Sequence, residues 1–322
     1  MPEPSPHLQR RGRLLRVGAA FVVLLAVAGY LAVQYVTGGT GGPGCKVVSA
    51  DGDGATYEFS PEQAVNAATV TAVGTARGLP ERAVTIALAT ALQESALRNI
   101  GHGDRDSLGL FQQRPSQGWG TEEQIMDPIY SAGMFYDHLV DVPGYTRLPL
   151  TVAAQRVQRS GFPQAYAKHE PDATLLAAAL TGRAAATLTC EGRPGATPTA
   201  GPDAVRSALV RDFGRDAVQQ AGAEVGARTP TPTPTLVTET SGRTVTVPVA
   251  EDTDERGARE RGWQYAHWAV ANASSLHIER VSYAGREWVA GHTDSRWRAA
   301  EDAKNPDGAR STAEAVRIVT AQ

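Results

Sequence analysis

Residues 87–120 read ALATALQESALRNIGHGDRDSLGLFQQRPSQGWG, and the rest of the chain is interpreted outward from this stretch. Its first half is Ala-rich and apolar, which predicts a buried helix that ends at Gln93-Glu94-Ser95. Its second half is polar and punctuated by glycine, which predicts a loop. A carboxylic acid at the end of an apolar helix, followed by a loop of hydroxyls and amides, suits chemistry on a sugar.

Glu94 is the candidate proton donor of this stretch. Partial burial and the negative end of the helix dipole both disfavour a carboxylate there, so we expect its pKa to be raised. A carboxylic acid with a raised pKa is the group that protonates a glycosidic oxygen near neutral pH. The alternative is a glutamate that faces solvent at a helix end and does no chemistry.

Cap signals and apolar periodicity around the stretch predict five helices. Ser60, Pro61 and Gln63 indicate a capping box with proline at the first helical position, and Gly78 ends that helix. Thr121 and Gln124 open a short turn. The remaining helices are predicted over 80–99, 128–139, 150–159 and 175–180. Five helices in succession predict an all-α domain over residues 60–190.

Three motifs in this order, Glu94-Ser95, then SLGLFQ from Ser107 to Gln112, then Asp127-Pro128, resemble the lysozyme-like fold of bacterial lytic transglycosylases and related muramidases. The resemblance covers roughly residues 60–190, about 40% of the chain. It implies an enzyme that cuts peptidoglycan glycan strands between N-acetylmuramic acid and N-acetylglucosamine. Glu94 then corresponds to the catalytic acid.

The same resemblance implies the residues that bind the substrate. Ser107 and Gln112 match positions that line the sugar cleft. Tyr166 falls where the family usually carries a Tyr-Asn-Ala-Gly segment, which this chain lacks, and we place it in the cleft by its position alone.

Asp104 and Asp106 are the candidates for a second carboxylate. Hydrolases need two carboxylates at a defined separation, whereas a transglycosylase can work with one because a hydroxyl of the substrate attacks. The alternative is that both aspartates cap amides in the loop. Calcium is disfavoured, because Arg105 and the missing acidic position twelve do not fit an EF-hand loop.

The N-terminus predicts the compartment. A basic segment, residues 1–13, precedes an apolar run over 14–36 that is long enough to cross a bilayer. Because positive residues stay in the cytoplasm, we expect a single-pass membrane protein with residues 37–322 outside. A signal peptide cleaved near the Ala-Val-Ala at 26–28 is the alternative. Residues 37–59 are expected to be a tether.

Cys45 and Cys190 are the two cysteines of the chain. Outside the cytoplasm they are expected to pair, which would join the two ends of the helical domain. Two free thiols are the alternative.

The C-terminal third changes in composition. Residues 191–240 are rich in Pro, Thr and Gly, with one helix expected over 202–220, and predict a linker. Residues 241–322 predict a small α+β domain with strands over 243–249, 278–283, 287–289 and 315–319 and a helix over 255–275. This section resembles a C-terminal module of secreted actinobacterial cell-wall proteins, which implies a non-catalytic domain that contacts other cell-wall proteins.

The remaining chemistry is bounded by what the sequence lacks. His267, His277 and His292 do not have the spacing of a zinc site, so neither a metal nor a cofactor is expected. A net charge of −3 makes nucleic acid a poor partner. Tryptophans of the C-terminal section are expected in its core rather than on a sugar-binding surface.

The expected fold class is therefore multidomain: an N-terminal transmembrane helix, an all-α lysozyme-like domain, a Pro-rich linker and a small α+β domain. Three functions remain open. The first is cleavage of glycan strands, as a lytic transglycosylase or a muramidase. The second is a scaffold that grips peptidoglycan without cleaving it. The third is a transport-associated protein, which one spanning segment supports poorly.

Overall fold

A three-stranded antiparallel sheet begins the described part of the chain in this computed structural model. The structure describes residues 44–192, 201–214, 242–249, 255–291, 296–300 and 315–321. The central strand β1 (Cys45–Val48) pairs with β2 (Thr56–Phe59) on one side and with β3 (Leu188–Cys190) on the other. Cys45 lies opposite Phe59 in one pair and opposite Cys190 in the other.

This sheet overturns part of the expected fold class. The prediction of an all-α domain was wrong, because the described chain mixes helices and sheets. Its strands are only three or four residues long, and β3 pairs with β1 across more than 140 residues of chain. Such short strands show too little alternation to be recognised, and their pairing depends on tertiary contacts.

The helices follow the sheet and surround one buried helix. This helix, α2 (Glu81–Ser95), is buried at every residue from Ala83 to Leu92. Six of those ten residues are alanine or threonine, whose small side chains let neighbouring helices approach closely. It contacts helices on several sides. The others are α1 (Pro61–Ala76), α3 (Glu122–Ile125), α4 (Pro128–Val140), α5 (Leu150–Gln158), α6 (Glu170–Leu180), α7 (Pro202–Phe213) and α8 (Glu255–Ala271).

Two short 3-10 helices complete this part: η1 (Pro115–Gln117) and η2 (Ala165–His169).

The capping predictions are confirmed. The Ser60 side chain accepts from the Gln63 amide N–H while the Gln63 side chain accepts from the Ser60 N–H. Thr121 and Gln124 form the same reciprocal pair.

A second sheet contains five antiparallel strands in the order β4-β8-β5-β6-β7. The strands are β4 (Thr244–Pro248), β5 (Ile278–Tyr283), β6 (Arg286–Val289), β7 (Arg298–Ala299) and β8 (Ala315–Thr320). Helix α8 contacts this sheet on β5 and β8, and it also contacts α1, α6 and β3. The described residues all belong to one compact unit, and within it the described C-terminal residues pack directly on the helices.

The predicted fold class also included a transmembrane helix. Within the part of the chain that the structure describes, no helix is both long and apolar enough to cross a membrane. The segment predicted to be that helix, residues 14–36, lies outside the described residues. So do the basic segment 1–13, the tether up to residue 43 and most of the linker over 191–240.

Candidate active site

Glu94 lies in the last turn of α2, and the way this helix ends fixes its position. Ala96 and Leu97 both adopt left-handed backbone angles, with φ of 54° and 56°, and this stops the helix after Ser95. Side chains of α1 then bind the freed carbonyls: the Gln63 amide donates to Ala96 O at 2.8 Å, and Asn66 donates to Leu97 O at 2.8 Å. The helix end that carries Glu94 is therefore tied to its neighbour.

Ser95 joins this helix end to the loop that follows. Its Oγ donates to Leu110 O at 2.8 Å. The loop turns tightly there, because Leu108 and Gln113 exchange two backbone hydrogen bonds of 2.9 and 3.0 Å. Gly109, inside the turn, has a φ of +74°. The two halves of the 87–120 stretch are thus joined next to Glu94.

Tyr166 is the partner of the Glu94 carboxyl. Its hydroxyl donates to Glu94 Oε1 at 2.6 Å, and the tyrosine is fully buried on η2. Burial raises the pKa of Glu94, while hydrogen bonds from Tyr166 and Gln158 act in the opposite direction. The predicted rise in the Glu94 pKa is therefore confirmed, with burial as its main cause.

The phenol of Tyr166 is held as a hydrogen-bond donor. Burial, the nearby Glu94 charge and the hydrogen bond to Glu94 all raise the pKa of Tyr166. The hydroxyl therefore keeps its proton at physiological pH and remains the donor in the hydrogen bond to the carboxyl.

Two further polar residues that the sequence did not single out reach this helix end, Gln158 at Glu94 and His169 at Gln93. Gln158, the last residue of α5, also donates through Nε2 to Phe111 O at 2.7 Å. His169 Nε2 lies 3.2 Å from Oε1 of Gln93, the residue before Glu94. Burial lowers the pKa of His169, so its ring is neutral at pH 7. No local pattern marks either residue, because each reaches the site only through the packing of α5 and η2.

Ser107 and Gln112 lie in the loop, and their hydrogen bonds go to backbone carbonyls of the loop itself. Ser107 is buried, and its N–H donates to Asp104 O at 3.1 Å. Gln112 is half-buried, and its Nε2 donates to Gly109 O at 3.2 Å. Within the described residues neither side chain hydrogen-bonds to Glu94, so the structure places them in the adjoining loop rather than on the acid.

The two candidate second acids have different surroundings. Asp106 Oδ1 accepts from Arg114 Nε at 2.7 Å, and its Oδ2 accepts from the Ser116 N–H at 2.9 Å. Hydrogen bonds from Ser116 and Arg114 hold the pKa of Asp106 well below its usual range. Asp104 has a side chain 95% exposed, with Arg105 4.0 Å away. Asp106 therefore fixes the loop, and Asp104 faces solvent.

The cysteine pair is present. A disulfide joins Cys45 to Cys190, with the two Cα atoms 4.0 Å apart, and the predicted bridge is confirmed. It links β1 to β3 at the start and the end of the helical part. Across the described ranges, no three His, Cys, Asp or Glu side chains are grouped in a way that could hold a metal ion.

Comparison with known proteins bears on the other end of the chain. No curated protein matches it. A family model described as VldE, C-terminal domain, matches residues 206–309, about a third of the chain. The match begins within α7, includes α8 and ends after β7, and it leaves Glu94 and Tyr166 outside. The similarity therefore concerns the C-terminal section.

Proposed function

We propose that this protein cleaves the glycan strand of peptidoglycan, with Glu94 as the proton donor. The observation that carries the proposal is the Glu94 carboxyl itself: the residue is half-buried, its pKa is raised, and Tyr166 donates to it at 2.6 Å. A carboxylic acid that retains its proton near neutral pH is the group required to protonate a glycosidic oxygen. The resemblance of the surrounding motifs to lytic transglycosylases supports the same substrate.

In this proposal the two carboxyl oxygens have different tasks. Tyr166 donates to Oε1, and we assign Oε2 to carry the proton toward the bridging oxygen of the sugar. As the C–O bond breaks, the proton moves to the leaving oxygen and Glu94 becomes a carboxylate. The hydrogen bonds from Tyr166 and Gln158 favour that charged form, so they stabilise the charge that develops on Glu94.

We further propose the one-acid route of a transglycosylase over the hydrolysis of a muramidase. Both carboxylate oxygens of Asp106 are already bound by Arg114 and Ser116, and Asp104 is exposed. With one acid, the C6 hydroxyl of the substrate attacks C1, a 1,6-anhydro ring forms, and the hydroxyl proton returns to Glu94. Water is not consumed.

The Cys45–Cys190 bridge supports an extracytoplasmic location for this activity. Structural disulfides persist in oxidising compartments and are rare in the cytosol. Peptidoglycan lies in such a compartment, outside the cell membrane.

The test is a Glu94→Gln substitution assayed on purified peptidoglycan. The amide keeps the shape of the side chain and removes the transferable proton, so turnover should fall by about 10²–10⁴. Glycan binding should be retained. Asp104→Asn is the matched control, since it removes an exposed carboxylate from the adjoining loop and should lose far less.

Mass analysis of the products separates the two routes. A transglycosylase releases 1,6-anhydromuramyl ends, which lack the water that hydrolysis adds. Hydrated ends would contradict the one-acid route. A wild-type protein that binds glycan but releases no muropeptides would replace the enzyme with the scaffold.

A further inference from the structure

A cavity of about 620 Å³ lies on the three-stranded sheet. Its volume falls within the roughly 300–1,000 Å³ typical of small-molecule sites. Every strand of the sheet contributes to its lining, through Lys46 of β1, Glu58 of β2 and Thr189 of β3. Neither Glu94 nor the residues that hydrogen-bond to it line this cavity.

The walls of the cavity are held in place before any ligand binds. The Cys45–Cys190 disulfide joins the central strand to β3. On the side formed by the C-terminal section, Trp297 is 8% exposed and its Nε1 donates to Leu188 O at 2.8 Å. A preformed site of this kind spends little of its binding energy on ordering its walls.

Charges of both signs line the cavity. Lys46 lies opposite Glu58 on one neighbouring strand and opposite Thr189 on the other, so these side chains form one row across the sheet. The Lys46 and Glu58 charges are 3.7 Å apart on side chains that are 47% and 77% exposed, and such a pair is weak enough to exchange for a ligand. Arg296 and Glu191, both exposed, add a second cation and a second anion.

We propose that this cavity binds a short peptide that carries both carboxylate and ammonium groups. Lys46 and Arg296 bind its carboxylates, Glu58 and Glu191 bind its ammonium groups, and the Thr189 hydroxyl, which donates to Lys46 O at 3.5 Å, accepts from an amide N–H of the peptide. A neutral sugar could hydrogen-bond to these four side chains through its hydroxyls, but it carries no charge to match theirs, whereas the peptide carries charges of both signs. Naming the source of the peptide rests on the proposed function: peptidoglycan bears short peptides of this chemistry on its glycan strand.

The test is calorimetric titration of the full chain with the tripeptide L-alanyl-γ-D-glutamyl-L-lysine. The charged peptide should bind with a Kd at or below about 1 mM. A version with both carboxyls amidated and both amines acetylated should bind at least about tenfold more weakly. Raising the salt concentration should weaken the binding of the charged peptide and leave the binding of the neutral version unchanged.

Lys46→Ala should reduce the affinity by about tenfold, the effect of losing one charge-assisted hydrogen bond. Lys168→Ala removes an exposed lysine that does not line the cavity, so it should leave the affinity for the peptide unchanged. Arg296→Ala provides a second variant if the first does not fold. Lys46→Ala should still cleave peptide-free glycan at the wild-type rate.

The outcomes separate this proposal from the proposed function. An absence of binding heat, or an equal loss in Lys46→Ala and Lys168→Ala, would overturn the cavity proposal and leave the chemistry of Glu94 unaffected. Peptide binding by a wild-type protein that releases no muropeptides would support the peptide site and overturn the glycan cleavage.

Discussion

Opposing effects act on the Glu94 carboxyl, and their balance sets its protonation. Burial favours the neutral acid, while the hydrogen bonds from Tyr166 and Gln158 favour the carboxylate. The rise in pKa shows that burial prevails. The hydrogen bonds keep this rise smaller than burial alone would produce, and in the proposed reaction they ease the departure of the proton.

Replacing Tyr166 by phenylalanine should shift this balance in a known direction. The variant loses the 2.6 Å hydrogen bond that stabilises the carboxylate, so the pKa of Glu94 should rise further. Because the acid must be protonated, activity falls as pH rises through that pKa. The alkaline limb of the pH–rate profile should therefore move to higher pH, while the maximal rate falls because the carboxyl is less well oriented.

The pH–rate profile of peptidoglycan turnover is the measurement, with Tyr130→Phe as the control. Tyr130 lies outside the contacts of Glu94, so its profile should keep the wild-type shape. An alkaline limb that moves to lower pH in Tyr166→Phe would contradict the assigned hydrogen bond.

The part of this site that the sequence could predict is the part that is local. Glu94 follows an apolar run and ends a helix, and both features are visible along the chain. Gln158 and His169 could not be found this way, since 64 and 75 residues separate them from Glu94 and only helix packing brings them near. Asp106 looked like a second acid because its sequence neighbours do not show that Arg114 and Ser116 bind it.

Among the elements, the helices were easier to predict than the strands. Helix caps are written in a few adjacent residues, and the Ser60–Gln63 and Thr121–Gln124 boxes both form. The strands predicted over 278–283 and 287–289 are present as β5 and β6, which pair with each other. Strands β1 and β2 lie within residues read as a tether, because three or four residues carry too weak an alternation. The pairing of β1 with β3 places Cys45 opposite Cys190, so it depends on tertiary contacts that no local pattern shows.

The loop between α2 and α3 gives a prediction at the scale of elements. Gly109 has a φ of +74°, and a Cβ there would lie 2.7 Å from the Ile125 carbonyl oxygen. Gly109→Ala should therefore lower the free energy of unfolding by about 2–4 kcal/mol, from left-handed strain together with the steric clash. Chemical denaturation measures the change.

Gly118→Ala is the matched control for this variant. Gly118 has a similar φ of +82°, but a Cβ there meets no atom within 4 Å. Its substitution should cost only the backbone strain, about 1–2 kcal/mol. Equal losses for the two variants would show that the close approach to Ile125 contributes nothing.

Across the whole molecule, polar contacts from the C-terminal section complete the helical part. Trp268 Nε1 donates to Asp212 Oδ2 at 2.8 Å, and Trp288 Nε1 donates to Cys190 O at 3.1 Å. Gln264 reaches Thr75 on α1 at 2.7 Å. The tryptophans expected in a core are indeed buried. The sequence predicted that these tryptophans lie in a core, but it did not show that they face the neighbouring helices.

His267 of α8 is fully buried and gives the last prediction. Its Nδ1 lies 2.7 Å from Ala179 O, and its Nε2 lies 3.3 Å from the Thr187 N–H. The ring therefore donates from Nδ1 and accepts at Nε2, which describes the neutral form. Burial lowers the pKa of His267 to about 4, against 6.5 for an ordinary histidine.

The unfolded chain consequently binds more protons than the folded chain between pH 6.5 and about 4. Stability from this group is complete above pH 6.5 and is lost as pH falls toward 4, by about 3 kcal/mol at 1.36 kcal/mol per pKa unit. His267→Gln removes the titrating ring. Between pH 6.5 and about 4 the free energy of unfolding of the variant should therefore fall by about 3 kcal/mol less than the free energy of unfolding of the wild type.

The test compares the slopes of stability against pH, so a loss of stability that the variant already shows at pH 7 does not affect the comparison. Urea denaturation at pH 7, 5.5 and 4 measures both slopes, and His102→Gln, at an exposed position, should keep the wild-type slope. Parallel slopes for the wild type and His267→Gln would mean that the buried ring is not the group that links pH to the packing of α8 on α6.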